Sequence, residues 1–171
     1  MTYKKWIQEV PKDIKEDAVW SLKAYNIALF MADLSWIDIK PIINQKLFSL
    51  SDQLYRATGS ISANITEGYS RKSLKEQARF YEIALGSARE AKDWYFKSRH
   101  ILGKEIANHR IKILTKIIKL LLTMINERRK NHSVQETNID YQNNDFNTLL
   151  TNIPTAENTN NQLRITHHRP L

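Results

Sequence analysis

Apolar residues recur at steps of three and four through most of residues 13–130, which predicts long amphipathic helices. The first helix is expected to begin near Pro11 to Asp13 and to run to about Ile37, before Pro41. A helix with two apolar faces needs two packing partners. One face of this helix carries Trp20, Ala24, Ile27, Met31 and Leu34, and a nearly opposite face carries Leu22, Tyr25, Leu29 and Trp36.

A second helix is predicted from Ser49 or Ser51, each a suitable N-cap, to Gly68, a suitable left-handed C-terminal glycine. Beside its apolar stripe runs a polar stripe of Gln53, Arg56, Ser60, Asn64 and Glu67. This polar stripe has two interpretations. It is a solvated face, or it is a partly buried network in which Ser60 and Asn64 bond to a neighbouring helix.

The third helix is predicted to open with a capping box, Ser73 followed by Glu76, and to end at Gly103. Small residues line its middle, which would allow another helix to approach closely; they are Ala84, Gly86, Ser87, Ala88 and Ala91. A glycine inside a helix is unfavourable by about 1 kcal/mol relative to alanine. We therefore expect Gly86 to contact the backbone of a neighbour.

The fourth helix is predicted from about Lys104 to Arg129, and its apolar residues cover an arc of about 200°, twice that of a surface helix. These four helices predict an all-α four-helix bundle. The apolar faces left over on helices one and four predict self-association.

Residues 131–171 contain nine Asn and six Thr, and their apolar residues follow no helical or strand period. Such a segment buries too little surface to offset its ordering entropy. We divide the chain into an N-terminal extension (1–12), the helical domain (13–130) and a tail (131–171) predicted to be largely disordered.

The amino-acid composition excludes or disfavours several functional classes of protein. The 171 residues include no cysteine and four glycines, so a disulfide scaffold and a thiolate site are excluded, and glycine-rich phosphate loops are disfavoured. No signal peptide or membrane span is recognisable, and we expect a cytoplasmic protein.

Catalytic and metal-binding patterns are also missing from the sequence. His100 and His109 show no metal-ligand spacing, and His132, His167 and His168 fall in the tail. The hydroxyls of Ser60 and Ser87 have no histidine close in the sequence to activate them. The sequence therefore predicts no enzyme, no cofactor and no metal. An enzyme using Glu67 or Glu90 is the weakest of three hypotheses.

Basic charge is the positive functional signal. The net charge is +8, and residues 1–130 carry 24 Lys and Arg against 14 Asp and Glu. The basic residues predicted to contact phosphates form three groups: Arg71, Lys72 and Lys75; Lys112, Lys116 and Lys119; Arg128, Arg129 and Lys130. Each group alone also fits a solvated basic face. Together they indicate charge-driven binding of nucleic acid.

The stretch SISANITEG at 60–68, followed by ALGSARE at 84–90, resembles the four-helix bundle family of 23S rRNA-intervening-sequence proteins, over roughly residues 15–130. One departure is Thr66, where the family usually has Ala. The family's motif falls on Arg56, Ser60, Asn64, Glu67, Gly68, Gly86, Ser87 and Glu90, and the resemblance favours a buried polar network among them.

The resemblance implies an up-down bundle that forms a homo-oligomer, commonly a pentamer, in the bacterial cytoplasm. It implies no catalytic residue. It also relates the chain to accessory proteins of diversity-generating retroelements. The leading hypothesis is thus a non-enzymatic oligomer that binds RNA or other nucleic acid, and the alternative is a ring-shaped protein-interaction scaffold without a nucleic-acid role.

Overall fold

The computed structural model describes residues 2–129 and 143–155, and every regular element within them is helical. The predicted all-α class is confirmed. The elements are α1 (Tyr3–Glu9), α2 (Lys12–Glu16), a 3₁₀ turn (Ala18–Ser21), α3 (Lys23–Asn44), α4 (Phe48–Tyr69), α5 (Leu74–Leu102), α6 (Lys104–Arg129) and α7 (Asn143–Thr151).

The four long helices α3 to α6, here called the helical body, contact one another in chain order, and α6 also contacts α3. Their apolar stripes meet in one core. Fully buried members from the four helices include Ile27, Met31, Leu54, Ile61, Ala84, Ala88, Ile117 and Leu121. The predicted apolar stripes therefore do form the core.

Helix α3 begins ten residues later than predicted and ends beyond Pro41. The chain before it forms a separate 3₁₀ turn because the Asp17 carboxylate accepts a hydrogen bond from the Val19 amide (2.9 Å) and the Val19 side chain is buried. Pro41 removes only one amide donor, in the last turn, where buried Ile39 and Ile42 hold the helix against the core. Both predicted ends of this helix were wrong.

Helix α1 packs against Phe30 of α3 and Trp20 of the 3₁₀ turn. The buried Trp6 ring lies 5.1 Å from the Phe30 ring and 6.3 Å from the Trp20 ring, centroid to centroid. Its indole Nε1 donates to Asp33 Oδ2 (2.5 Å). Residues 3–9, assigned to an extension by the sequence, thus contribute to the core, whereas Trp36, on the second predicted apolar face of α3, is 56% exposed.

Helix α4 starts without the predicted serine cap. Its N-cap position is Leu47, which makes no side-chain capping bond, and the Ser51 hydroxyl instead donates to the Phe48 carbonyl inside the first turn (2.8 Å). Gly68 lies inside the helix, and its φ is not positive, so the prediction of a left-handed terminal glycine was wrong.

The close approach predicted at Gly86 occurs at Gly68. A Cβ at Gly68 would lie 2.8 Å from Tyr81 Cε1 and 2.9 Å from Phe80 Cβ, so only glycine lets α4 and α5 meet here. A Cβ at Gly86 would meet no atom within 4 Å, and Gly86 is exposed. The prediction for Gly86 was wrong within this single chain.

The ends of α5 and the start of α6 follow the predicted signals. The Ser73 hydroxyl accepts a hydrogen bond from the Glu76 amide (3.1 Å), and Gly103, at φ +83°, alone separates α5 from α6. Positive φ is the conformation for which glycine is suited.

Part of the predicted disordered tail is ordered. Residues 143–151 form α7, which contacts α1 and α6, and the side chains of Leu150 and Ile153 are buried in the core. The tail prediction was wrong for residues 143–155. Its remainder, residues 131–142 and 156–171, lies outside the described residues.

Candidate nucleic-acid interface

One of the three predicted lysines of α6, Lys116, lies near a fourth lysine from another helix. Lys112 and Lys119 are exposed and Lys116 is half-buried. The pKa of Lys116 is lowered by burial, then by the positive charges of Lys23 on α3 and Lys119. We call Lys23, Lys112, Lys116 and Lys119 the lysine stripe. Lys23 was missed by the sequence analysis because only the packing of α3 on α6 brings it close.

The structure joins the other two predicted basic groups at one end of the helical body. Arg128 Nε donates to Gln77 Oε1 (2.6 Å), and Arg129 pairs with Glu82, so the end of α6 lies against the first turns of α5. Lys72 and Lys75 are exposed beside them. The predicted Lys130 lies outside the described residues.

Arginines of this end group already bind groups within the protein. Arg71 pairs with Glu67, and its guanidinium carbon lies 4.7 Å from the centre of the Phe80 ring. Arg128 binds Gln77 as described. A phosphate contact at Arg71 or Arg128 would therefore compete with these partners within the protein.

A buried polar cluster, which the sequence analysis missed, links α3, α5 and α6. Arg110 is fully buried and donates to both carboxylate oxygens of Asp38, from Nε (2.8 Å) and Nη2 (3.0 Å). The Tyr95 hydroxyl donates to Asp38 Oδ2 (2.9 Å), and Arg110 Nη1 lies 2.8 Å from His109 Nδ1. Asp38 and Arg110 both fall on the apolar periods of their helices, which is the sequence signal that could have revealed them.

His109 is neutral in this cluster. Burial, reinforced by the adjacent positive charge of Arg110, lowers its pKa to about 4. Because the arginine donates to Nδ1, the ring proton resides on Nε2, which donates to the Leu149 carbonyl (2.7 Å).

The family-motif residues do not form the predicted network between helices. Asn64 donates to the Ser60 carbonyl (2.7 Å) and Ser87 to the Ile83 carbonyl (3.1 Å), each within its own helix. The others pair locally too: Arg56 with Asp52 (3.8 Å), Glu67 with Arg71, and Glu90 with the Trp94 indole (3.2 Å). Local partners one turn away satisfy these groups, so they need none across the helix interface.

Two further observations concern metal binding and membrane spanning. The described residues contain no group of three or more His, Cys, Asp or Glu able to hold a metal ion. No helix among them is both long and apolar enough to span a bilayer.

A family model described as 23S rRNA-intervening sequence protein matches residues 21–125, well over half of the sequence. The chain belongs to this family. The match runs from just before α3 almost to the end of α6, so the helical body is the part shared with the family. The residues of α1 and α7 lie outside it.

A solved structure supports this assignment. It is a protein of unknown function of the S23 ribosomal protein family from Bacteroides thetaiotaomicron, with 28% sequence identity and a TM-score of 0.58. The alignment covers 60% of this chain and 97% of that one. No curated protein matches the sequence.

Proposed function

We propose that this member of the 23S rRNA-intervening sequence protein family is a non-enzymatic, up-and-down four-helix bundle that binds RNA or other nucleic acid in the bacterial cytoplasm. The observation that carries the proposal is the lysine stripe, where cations from α3 and α6 adjoin. The 24 basic residues against 14 acidic ones in residues 1–130 add a favourable long-range field.

Such binding would be driven by phosphate contacts. Lysine ammonium groups bind phosphate as point charges, and the release of counterions makes this affinity fall steeply with salt. The described residues include no motif that reads base edges, so shape and charge would select the partner.

The test uses a fluorescein-labelled RNA hairpin and a DNA duplex of equal length. We expect RNA binding that weakens sharply between about 50 and 200 mM salt. The variant K112E/K116E/K119E should bind RNA at least about tenfold more weakly, because each lost phosphate contact removes favourable binding free energy.

The matched control is K5E/K40E/K104E, which makes the same change in net charge at three exposed lysines elsewhere. We expect it to change affinity by less than about threefold through the long-range field alone. Salt-insensitive or undetectable binding, or equal losses in both variants, would contradict the proposal.

We further propose that the bundle assembles into a homo-oligomer, as a pentameric ring. Exposed aromatic residues on two separate surfaces support this. On α3 and α4, the Trp36 and Tyr55 rings lie 5.5 Å apart, and Phe48 is 61% exposed. On α5 and α6, Phe96 and Ile111 line a groove of about 480 Å³. A head-to-tail contact between two different surfaces generates a ring when the rotation between neighbouring copies closes.

The same groove favours a second candidate function, a scaffold that binds a protein partner without nucleic acid. Apolar and charged side chains line it together, a composition that suits a protein partner; they are Arg89, Lys92, Asp93, Phe96, Ile111 and Ile118. Pull-downs with and without nuclease treatment distinguish the two functions. Partners lost on nuclease treatment support nucleic-acid binding, and partners retained support the scaffold.

A further inference from the structure

Residues 147–155 contact the helical body in the manner of a bound peptide. Two hydrogen bonds to α6 use carbonyls of the segment: His109 Nε2 donates to the Leu149 carbonyl (2.7 Å) and Arg110 Nη2 to the Pro154 carbonyl (3.1 Å). The side chains of Leu150 and Ile153, three positions apart, are each 8% exposed. The segment thus contributes to the contact two buried apolar anchors, with half-buried Leu149 packed beside them, and two main-chain carbonyls.

The side chains that donate hydrogen bonds to the segment are oriented by other residues. Asp38 fixes the Arg110 guanidinium through two hydrogen bonds, and the Tyr95 hydroxyl fixes Asp38 in turn. Arg110 then sets the tautomer of His109, as described above. Because these donors are oriented by contacts inside the helical body, binding a carbonyl requires little further ordering.

The segment and one wall of its site lie outside the part of the chain shared with the family. The family match ends at residue 125, before α7, and begins at residue 21, after α1. Yet α1 and α7 contact each other. The two additions therefore complete one site, whose polar floor, Asp38, His109 and Arg110, belongs to the shared helical body.

We propose that α1, His109 and Arg110 form a peptide-docking site, and that residues 147–155 are its reversible intramolecular ligand. The site takes a peptide with two apolar side chains three positions apart, followed by a proline whose carbonyl faces Arg110. Thirteen residues, 130–142, separate α6 from α7, the helix in which this ligand begins. A short connection gives an effective concentration of the order of millimolar, which keeps the site mainly occupied by its own chain when the dissociation constant of the segment is below about 1 mM.

Undocking exposes the edge of the Arg110 guanidinium that binds the Pro154 carbonyl. The helical body keeps its fold, because its core of α3 to α6 stays packed. The first experiment therefore compares hydrogen exchange of the full chain with that of L150D/I153D, which places a charge at each buried anchor. The control N147D/N152D adds the same charge at two exposed positions of the segment.

In L150D/I153D, we expect the amides of residues 147–155 to lose protection while those of Leu114 and Ile117 keep it. The control should keep protection in both regions. Loss of protection throughout α3 to α6 would make the segment an integral part of the core and overturn the proposal. Retained protection of the segment would overturn it equally.

The second experiment tests the site itself. A fluorescein-labelled peptide of residues 147–155 is titrated onto full-length L150D/I153D and onto the wild type, with fluorescence anisotropy as the readout. We expect saturable binding to the variant, at least about tenfold weaker binding to the wild type because its own segment competes, and none for a peptide carrying Asp at both anchors. Absence of binding up to about 1 mM, or equal binding to both proteins, would overturn the proposal.

Discussion

Two polar residues at core positions determine how α3 and α6 meet. Asp38 and Arg110 are 72 positions apart in sequence and pair inside the core, where each would be costly alone. An apolar pair could slide along the helix interface, whereas this pair requires both oxygens of Asp38 to face Arg110. The ion pair thus restricts the register of the two helices.

Replacing Asp38 by Asn should destabilise the protein by about 3–5 kcal/mol, because the buried Arg110 loses its counter-charge. The measurement is urea unfolding followed by circular dichroism. Asp52→Asn is the matched control, since Asp52 pairs with Arg56 at the surface (3.8 Å), and it should change the free energy of unfolding by less than about 1 kcal/mol. Equal effects of the two substitutions would contradict the role given to the buried pair.

His109 should make stability depend on pH. Its folded-state pKa of about 4 lies below its usual value, so between about pH 6.5 and 4 the unfolded chain binds the additional proton. Its contribution to stability is complete above about pH 6.5 and is lost as the pH falls toward 4. The groups that act on it are Arg110, Lys112, Asp38 and the Leu149 carbonyl.

The measurement compares unfolding of the wild type and His109→Gln across this pH range. The stability of the wild type relative to the variant should fall by up to about 3 kcal/mol as the pH drops from 6.5 to 4. Carboxylates that titrate in the same range affect both proteins and cancel in the difference. A difference in the free energy of unfolding that does not change with pH would disprove the lowered pKa of His109.

At the scale of helices, the two glycines of the family motif have opposite roles. Gly68→Ala should destabilise the protein by about 1–3 kcal/mol, because the added Cβ would overlap the Tyr81 ring and Phe80 and this overlap exceeds the helix-propensity gain. Gly86→Ala, in open space, should stabilise the isolated chain by up to about 1 kcal/mol. Thermal unfolding of both variants at low concentration checks the pair, and a stabilised Gly68→Ala would contradict the close approach.

Local side-chain and φ signals predicted some helix ends, at Ser73 and Gly103, but failed at both ends of α4, where Leu47 occupies the N-cap position and Gly68 lies inside the helix. Ser73 with Glu76 and the positive-φ Gly103 are local signals, and the structure uses both. The start of α3 was not predictable, because it depends on the Asp17 bond and on Val19 reaching the core. The docking of residues 147–155 was missed for a related reason. Its partners, His109 and Arg110, are distant in sequence, and apolar periodicity does not predict hydrogen bonds to main-chain carbonyls.

At the scale of the whole molecule, two surfaces within the described residues carry exposed aromatic side chains, and the proposed ring predicts how variants of these surfaces behave in mixtures. Trp36→Asp and Phe96→Asp should each dissociate the oligomer, because each damages one of the two surfaces of a head-to-tail contact. Each variant keeps the surface that the other lacks. An equimolar mixture should therefore form a one-to-one heterodimer and no larger species.

Sedimentation velocity at micromolar concentration distinguishes the wild-type oligomer, the dissociated variants and the heterodimer. Ile14→Asp, at an exposed apolar residue of α2, is the control and should leave the oligomer intact. A wild type that sediments as a monomer would contradict the assembly. A mixture that stays monomeric would contradict the head-to-tail geometry but leave nucleic-acid binding to be judged by its own titrations.

The single-residue joint at Gly103 has a consequence for the order of folding. Closing a connection of one residue loses little chain entropy, and the α5–α6 contacts it permits are close in sequence. The Asp38–Arg110 pair, in contrast, closes a loop of 72 positions. We therefore expect the α5–α6 hairpin to form early and α3 to pack against it afterwards. The buried ion pair would form late, and only when α3 has packed in the correct register.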